Sequence, residues 1–189
     1  MSLFSNPVAG KNIVLLGTGS LGSSMAKLVE PLGANIIGVN KKGKPVDGCS
    51  KIITIDKLDS VLPDADILYL ALPETSETIN LIDKKRLNLL KPSCGIVNIG
   101  RQSVLDYEVL CEKLNKKEIA GAILDVFTPE PIESSSKLWH TPNLIITPHV
   151  SSDDNGNYVK MTLDLFVKNL KLFIENKELV NQIDKNLGY

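Results

Sequence analysis

Histidine, cysteine and aromatic residues are scarce in this sequence of 189 residues, which has two histidines, three cysteines and 5% aromatic residues. His140 and His149 are too few for a histidine-rich metal site. None of Cys49, Cys94 and Cys111 has the C-x-x-C spacing of zinc or dithiol sites. We therefore expect no metal site, and we expect the cysteines to be buried or free thiols of a reducing, cytoplasmic compartment.

The sequence also lacks an excess of charge of one sign and any long hydrophobic run. Its net charge at pH 7 is −1, so nothing in its charge favours nucleic acid or an anionic membrane as a partner. No stretch is long enough to span a membrane, and no apolar segment near the N-terminus has the length of a signal peptide. Hydrophobic residues still make up 43% of the sequence, which is ordinary for a globular core.

A glycine-rich turn directly after an apolar run is the most informative stretch present. Residues 13–16 predict a buried strand, and Gly17, Gly19 and Gly22 follow it in the pattern G-x-G-x-x-G. The first glycine permits a tight turn, the second lets a pyrophosphate approach the backbone, and the third allows a helix to pack closely on the strand. The stretch predicts a dinucleotide-binding turn, and a glycine-rich turn of some other α/β protein is the alternative.

A helix should follow this turn. We expect Ser20 to cap it, and we expect the helix to carry Met25, Leu28 and Val29 towards the core. The free N–H groups of its N-terminus would then point at the phosphates of the cofactor.

The end of the second predicted strand, residues 35–39, bears on the choice between NAD and NADP. A carboxylate at this place would bind the adenosine ribose hydroxyls of NAD. The sequence has Asn40, Lys41 and Lys42 instead, with Lys44 close behind. Cations here favour the 2′-phosphate of NADP, although the lysines could also form an ordinary solvated loop.

Strand and helix patterns alternate along the chain. Strands are predicted at 13–16, 35–39, 52–55, 65–72, 95–99, 119–126 and 144–146, and helices at 58–62, 75–82, 84–90, 104–114 and 158–174. This alternation predicts an α/β fold, a doubly wound parallel sheet of the Rossmann type with about seven strands, helices on both faces and a C-terminal helix. We assign residues 1–155 to a dinucleotide-binding domain and residues 156–189 to a C-terminal helix and tail.

Three polar residues stand where predicted strands end: Arg101, Glu130 and His149. Because the carboxyl ends of parallel strands meet at one edge of the sheet, we expect all three over the cofactor crevice. Arginine binds carboxylates through two N–H groups, and histidine donates protons near neutral pH. With a bound nicotinamide, Arg101 would hold a 2-keto acid, His149 would protonate its keto oxygen, and Glu130 would support His149.

Asp125, at the end of the sixth predicted strand, could accept a hydrogen bond from the nicotinamide carboxamide. Taken singly, each residue could equally have an ordinary role: Arg101 as a surface cation, Glu130 as a loop charge, His149 as a strand-end cap, and Asp125 as a helix or turn cap. Their combination in this order favours a catalytic site. His140 is expected to be a structural loop residue.

Five motifs together resemble the cofactor-binding domain of the D-isomer-specific 2-hydroxyacid dehydrogenases. They are G-T-G-S-L-G, L-A-L-P-E-T-S-E-T-I-N-L-I, N-I-G-R-Q-S-V-L-D, G-A-I-L-D-V-F-T-P-E-P and L-W-H-T-P-N-L-I-I-T-P-H-V. The resemblance implies that Arg101, Glu130 and His149 are catalytic. The candidate cofactor-binding residues are Gly17, Gly19, Ser20, Leu21, Gly22, Asn40, Lys41, Lys42, Leu72, Pro73, Thr78, Ile99, Gly100 and Asp125.

The resemblance also implies a branch, a partner and a missing part. The basic end of the second strand is most similar to the NADPH-preferring glyoxylate/hydroxypyruvate reductases, and the family implies a homodimer. The family's N-terminal substrate domain has no counterpart here, so we expect this chain to bind its cofactor and to have little activity alone. Gln102 stands where the family usually has glycine, and Ser151 and Ser152 stand where it usually has glycines. The alternative function is a non-catalytic NAD(P)-sensing module or a corepressor-like regulator.

Overall fold

The computed structural model describes residues 7–152, 154 and 156–185, and its centre is a parallel sheet of seven strands in the order β3-β2-β1-β4-β5-β6-β7. The strands are β1 Asn12–Leu16, β2 Asn35–Val39, β3 Lys51–Ile53, β4 Ile67–Leu70, β5 Gly95–Asn98, β6 Gly121–Leu124 and β7 Leu144–Ile146. The order runs outward from β1 in one direction and from β4 in the other, which confirms the doubly wound sheet. All seven carboxyl ends meet at one edge, where ligands bind in such sheets.

The described residues contain four α-helices: α1 Ser20–Val29, α2 Lys84–Leu87, α3 Tyr107–Asn115 and α4 Tyr158–Ile174. Short 3₁₀ segments lie at Glu30–Leu32, Ile55–Ser60, Leu62–Asp64, Gln102–Val104 and Lys137–His140. The chain divides into two compact units after His149, and α4 belongs to the second unit. None of the helices in the described residues has the length and apolar character that crossing a membrane requires.

The core lies on both faces of the sheet because successive side chains of β1 point to opposite sides. Ile13 and Leu15 pack with Ala26 of α1 on one face. Val14 and Leu16 belong to the larger cluster on the other face, which includes residues of α2 and α3. Burial of one such side chain contributes about 1.5–3 kcal/mol, so strands covered on both faces are apolar throughout.

The cysteines lie in or beside this core as free thiols. Cys94 and Cys111 are buried and Cys49 is half-buried. Burial raises the pKa of the Cys94 thiol to about 12, so this group is a neutral core residue rather than a reactive thiolate.

Two expectations for α1 are wrong. Ser20 is the first residue of the helix and not its cap, because Gly19 occupies the cap position and no side chain caps the helix. Leu28 is 74% exposed. Gly22, Met25, Ala26 and Val29 are spaced as one helical face and pack towards the sheet, which turns Leu28 to the outside.

The connection from β4 to β5 contains less helix than expected. Residues 75–82 form hydrogen-bonded turns and not a helix, since Ile82 pairs with Leu105 in a parallel bridge and Asp106 N–H donates to the Ile82 carbonyl. The Thr78 hydroxyl also accepts from the N–H of Thr75, which fixes a tight turn. The predicted helix at 84–90 is reduced to the four residues of α2.

Other elements differ from the predictions mainly at their ends. The predicted helix at 104–114 begins later, at Tyr107, because the Asp106 side chain accepts from the N–H of Val109 and caps α3 there. The helix predicted at 58–62 is two 3₁₀ segments. The strands predicted at 52–55, 65–72, 95–99 and 119–126 are shorter in the structure, with three or four residues each.

Candidate active site and dinucleotide crevice

The turn after β1 needs glycine at two of its three motif positions. Gly17 has a φ of +91°, and a Cβ added there would lie 2.5 Å from the carbonyl oxygen of Ala71. A Cβ on Gly22 would lie 1.9 Å from the carbonyl oxygen of Gly17, so α1 can approach the strand only without a side chain here. A Cβ on Gly19 would meet no atom within 4 Å. The backbone at Gly19 therefore faces open space, which suits the close approach of a ligand.

The N-terminus of α1 is suited to an anion. No side chain caps it and its first turn contains no acidic residue, so neither an oxygen acceptor nor a negative charge competes for its N–H groups. The first N–H groups of a helix have no partner within the helix, and the helix dipole favours negative charge beside them. Together with the open space at Gly19, this arrangement fits the pyrophosphate of a dinucleotide.

The ends of β4 and β5 form the neighbouring part of the crevice. A Cβ on Gly100 would lie 2.5 Å from the carbonyl oxygen of Leu72, so glycine lets these two strand ends come together. Leu72, Pro73 and Ile99 are half-buried around this contact. The buried hydroxyl of Thr78 donates to the carbonyl of Pro73 at 2.7 Å and shapes the turn beside them.

The end of β2 carries the three lysines, and its geometry is set by Asn40. The Asn40 amide donates to the Thr18 hydroxyl at 3.1 Å and to the Lys44 carbonyl at 3.0 Å, and its oxygen accepts from the N–H of Lys42. Asn40 thus ties the lysine loop to the glycine turn. The ammonium of Lys41 reaches Glu77, with 2.9 Å and 2.8 Å to the two carboxylate oxygens.

Glu130 and His149, from the loops after β6 and β7, meet side chain to side chain. The distance from Nδ1 of His149 to Oε2 of Glu130 is 2.9 Å, and the other carboxylate oxygen accepts from the N–H of Phe127 at 2.7 Å. The His149 hydrogen bond and the Phe127 N–H together lower the pKa of Glu130 below its usual 4.5. Glu130 is therefore a carboxylate at neutral pH, and it contacts the His149 ring through Nδ1.

The backbone of His149 is unusual as well. Its φ is +56°, in the left-handed region that residues other than glycine seldom adopt. Such conformations concentrate at functional sites. Sequence reasoning could not have identified this feature, because no glycine or asparagine marks the position.

Arg101 follows β5 and has an exposed side chain, with Nη1 donating to the carbonyl of Gly100 at 2.8 Å. Its backbone is held from below by Asn98, which is fully buried. The Asn98 amide donates to the Arg101 carbonyl at 3.1 Å, and its oxygen accepts from the N–H of Gly100. The backbone turn that carries Arg101 is therefore fixed by hydrogen bonds.

Sequence reasoning did not single out Tyr107, yet its side chain joins the loop after β5 to the loop after β6. Its hydroxyl accepts from the Asn98 amide at 3.2 Å and donates to the Val126 carbonyl at 2.8 Å. Burial raises the pKa of this hydroxyl, so it stays protonated and remains a donor. Asn98 holds the Arg101 turn, and Val126 precedes the Phe127 N–H that donates to Glu130. One buried network therefore links the loops that carry Arg101 and Glu130.

Asp125 is almost completely buried at the end of β6. The hydroxyl of Thr147, just after β7, donates to Oδ1 of Asp125 at 2.5 Å. Thr147 is a second residue that sequence reasoning missed, and its position two residues before His149 is the signal that could have found it. The bond connects the residues that directly follow β6 and β7.

Gln102, the residue that departs from the resembled pattern, begins the 3₁₀ turn after Arg101. Its half-buried side chain lines a pocket of about 470 Å³ together with Tyr107, Phe127 and Leu138. The structure thus places it beside the loop that carries Glu130.

Comparison with known proteins identifies a family that this chain matches. Residues 2–151 match the sequence model described as "D-isomer specific 2-hydroxyacid dehydrogenase, NAD binding domain". The chain is 34% identical over 179 residues to an uncharacterized protein in the proB 3′ region of Corynebacterium melassecola, covering 95% of this chain and 59% of that protein. It is 32% identical over 188 residues to a glyoxylate reductase of Thermococcus gammatolerans, covering 95% and 56%.

A solved structure shares the fold. The crystal structure of a D-isomer specific 2-hydroxyacid dehydrogenase from Xanthobacter autotrophicus Py2, in complex with NADPH and MES, superposes with a TM-score of 0.89 at 29% identity. The match covers 97% of this chain and 75% of that one. The chain spans between 56% and 59% of the length of the two curated relatives above.

Proposed function

The chain belongs to the D-isomer specific 2-hydroxyacid dehydrogenases as their NAD-binding domain, and we propose that it serves hydride transfer between a nicotinamide cofactor and the C2 carbon of a small 2-keto or 2-hydroxy acid. The observation that carries the proposal is the contact of 2.9 Å between His149 and Glu130. The two residues lie at the carboxyl edge of the sheet that also bears the glycine turn.

Each residue has a defined task in this reaction. The glycine turn and the N-terminus of α1 hold the pyrophosphate, and the bound nicotinamide supplies or receives the hydride. Arg101 binds the carboxylate of the acid through its guanidinium. Glu130 accepts from Nδ1–H of His149, so that Nε2 carries the proton given to the keto oxygen during reduction. Asp125, whose Oδ1 accepts from Thr147, would also accept from the nicotinamide carboxamide.

The His149–Glu130 pair also favours an enzyme over a nucleotide sensor. A sensor or corepressor-like regulator would use the glycine turn and the lysine loop alone and would not require an oriented proton donor. The remaining candidate cofactor-binding residues would line the crevice around the dinucleotide. They are Ser20, Leu21, Leu72, Pro73, Thr78, Ile99 and Gly100.

We propose that the cofactor is NADP rather than NAD. Asn40 supplies no carboxylate where an NAD site would have one, and Lys41, Lys42 and Lys44 supply positive charge in the same loop. The related structure from Xanthobacter autotrophicus was crystallised with NADPH, which supports this choice.

The substrate, assembly and domain limits are proposals of the same kind. The similarity to a glyoxylate reductase supports glyoxylate as the substrate. We propose a cytoplasmic homodimer, with residues 1–155 as the dinucleotide-binding domain and 156–189 as a helix and tail that pack on a substrate domain.

The test of the chemistry uses the chain alone and the chain fused to the part of the Thermococcus gammatolerans reductase that it does not match. We expect the chain alone to bind NADPH with little turnover, and the fusion to oxidise NADPH when glyoxylate is added. His149→Ala should lower that turnover by about 10²–10⁴-fold and leave NADPH affinity within about twofold. A fusion in which His149→Ala turns over at the unmodified rate would contradict the role of His149.

A further inference from the structure

We propose that Glu77 sets the cofactor preference of this chain by holding Lys41 away from the adenosine 2′-phosphate. The proposal rests on the NADP site proposed above. It adds a specificity-determining residue that lies outside the lysine loop.

The first support is the position of the pair. Lys41 follows β2 and Glu77 lies in the turns after β4, and β2 and β4 are the two neighbours of β1 in the sheet. The ion pair therefore joins the loops on either side of the β1–α1 turn, where the glycine motif lies. A dinucleotide bound to this turn would have its adenosine end next to the Lys41 side of the pair.

The second support is the geometry of the contact. The Lys41 ammonium lies 2.9 Å and 2.8 Å from the two oxygens of Glu77, so it contacts both. Of the three lysines in the loop, Lys41 is the one that the described residues pair with a carboxylate. Glu77 thus neutralises the positive charge of Lys41, which the 2′-phosphate of NADP would otherwise bind.

The consequence differs between the two cofactors. A 2′-phosphate carries about −1.5 to −2 charges at neutral pH, so it must compete with Glu77 for the Lys41 ammonium. The free 2′-hydroxyl of NAD is uncharged, so it does not compete with Glu77 for Lys41. Glu77 therefore reduces the preference for NADP that the lysines alone would give.

The size of the effect on NADPH affinity follows from the exposure of the Lys41–Glu77 pair. The side chains of Lys41 and Glu77 are 49% and 62% exposed, and exposed ion pairs are weak. We expect Glu77→Gln to tighten NADPH binding by about two- to fivefold and to leave NADH binding within about twofold, measured by nucleotide fluorescence at one fixed ionic strength.

A double-mutant cycle with Lys41→Ala separates the proposed mechanism from simple repulsion. If Glu77 acts by holding Lys41, then Glu77→Gln should change NADPH affinity little when Lys41 is already alanine. Asp47→Asn is the matched control, because it removes one exposed carboxylate that pairs with Lys27 at 3.4 Å. It should leave both affinities unchanged.

Two results would overturn the proposal while leaving the NADP site in place. One is an unchanged ratio of NADPH to NADH affinity in Glu77→Gln. The other is an equal gain in NADPH affinity with and without Lys41, which would make Glu77 a general repulsive charge. An unmodified chain that binds neither nucleotide would remove the proposed function and this inference together. Circular dichroism spectra matching the unmodified chain would show that each variant is folded.

Discussion

At the scale of single residues, the pairing of Glu130 with His149 predicts a measurable pH dependence. The pKa of Glu130 is lowered chiefly by its hydrogen bond with His149. A lowered folded-state pKa stabilises the fold fully above the usual value of 4.5, and the stabilisation is lost as the pH falls through the folded-state pKa. His149→Ala should therefore move the Glu130 pKa upward, towards 4.5, in a carbon-detected NMR titration.

The hydrogen bond from the N–H of Phe127, which is the second and smaller cause of the lowered Glu130 pKa, is kept in His149→Ala. The pKa should accordingly remain somewhat below the usual value rather than return to it. Glu118 is the internal reference, because its pKa is lowered by Lys113 and does not depend on His149. A Glu130 pKa that does not change in His149→Ala would show that the two side chains do not interact in solution.

Two glycines of the same motif should respond differently to substitution. Gly22→Ala places a methyl group 1.9 Å from a carbonyl oxygen and should destabilise the fold by about 1–3 kcal/mol. Gly19→Ala meets no atom within 4 Å and should destabilise it by less than about 1 kcal/mol, the cost of alanine at a helix cap. Gly19→Ala should instead weaken NADPH binding, because its methyl group occupies the space left for the pyrophosphate.

Urea unfolding and nucleotide titration of both variants separate these effects. Equal losses of stability, or unchanged NADPH affinity in Gly19→Ala, would contradict the assignment of structural and ligand-facing glycines.

At the scale of elements, α3 and the end of β5 depend on the Tyr107 hydroxyl. Tyr107→Phe keeps the edge contact of the ring with Phe127, whose centroid is 6.2 Å away, but leaves a buried amide and a buried carbonyl each short of one bond. We expect a loss of about 1–3 kcal/mol in the free energy of unfolding.

Tyr69→Phe is the matched control, because Tyr69 is a half-buried strand residue whose hydroxyl has no hydrogen bond recorded among the described residues. It should change stability by no more than about 0.5 kcal/mol. Similar costs for the two substitutions would mean that the Tyr107 network contributes nothing beyond burial.

The elements also differ in how far the sequence could predict them. α4 was predicted with its observed bounds, because a helix of 17 residues displays several turns of apolar periodicity. Residues 75–82 also have a helix-like pattern. They do not form a helix, because Ile82 pairs with Leu105 in a parallel β-bridge. Such pairing depends on tertiary contacts, and a local pattern cannot contain it.

At the scale of the whole molecule, the alternation of strands and helices was enough to predict the seven-stranded doubly wound sheet. It also placed Arg101, Glu130 and His149 on loops of three neighbouring strands, and the structure brings the last two into contact. The pairs formed by Lys41 with Glu77 and by Thr147 with Asp125 could not be predicted. They join residues 36 and 22 positions apart, and no local pattern specifies such partners.

The measurement that tests the account most directly is a fluorescence titration of the chain with NADPH and with NADH. The dinucleotide crevice with its basic loop predicts binding of both nucleotides, tighter for NADPH, and a smaller difference between them in Lys41→Ala and Lys42→Ala. Tighter binding of NADH would contradict the NADP site and leave the dinucleotide crevice standing. Binding of neither nucleotide would contradict the central claim that the glycine turn and α1 form a working cofactor site.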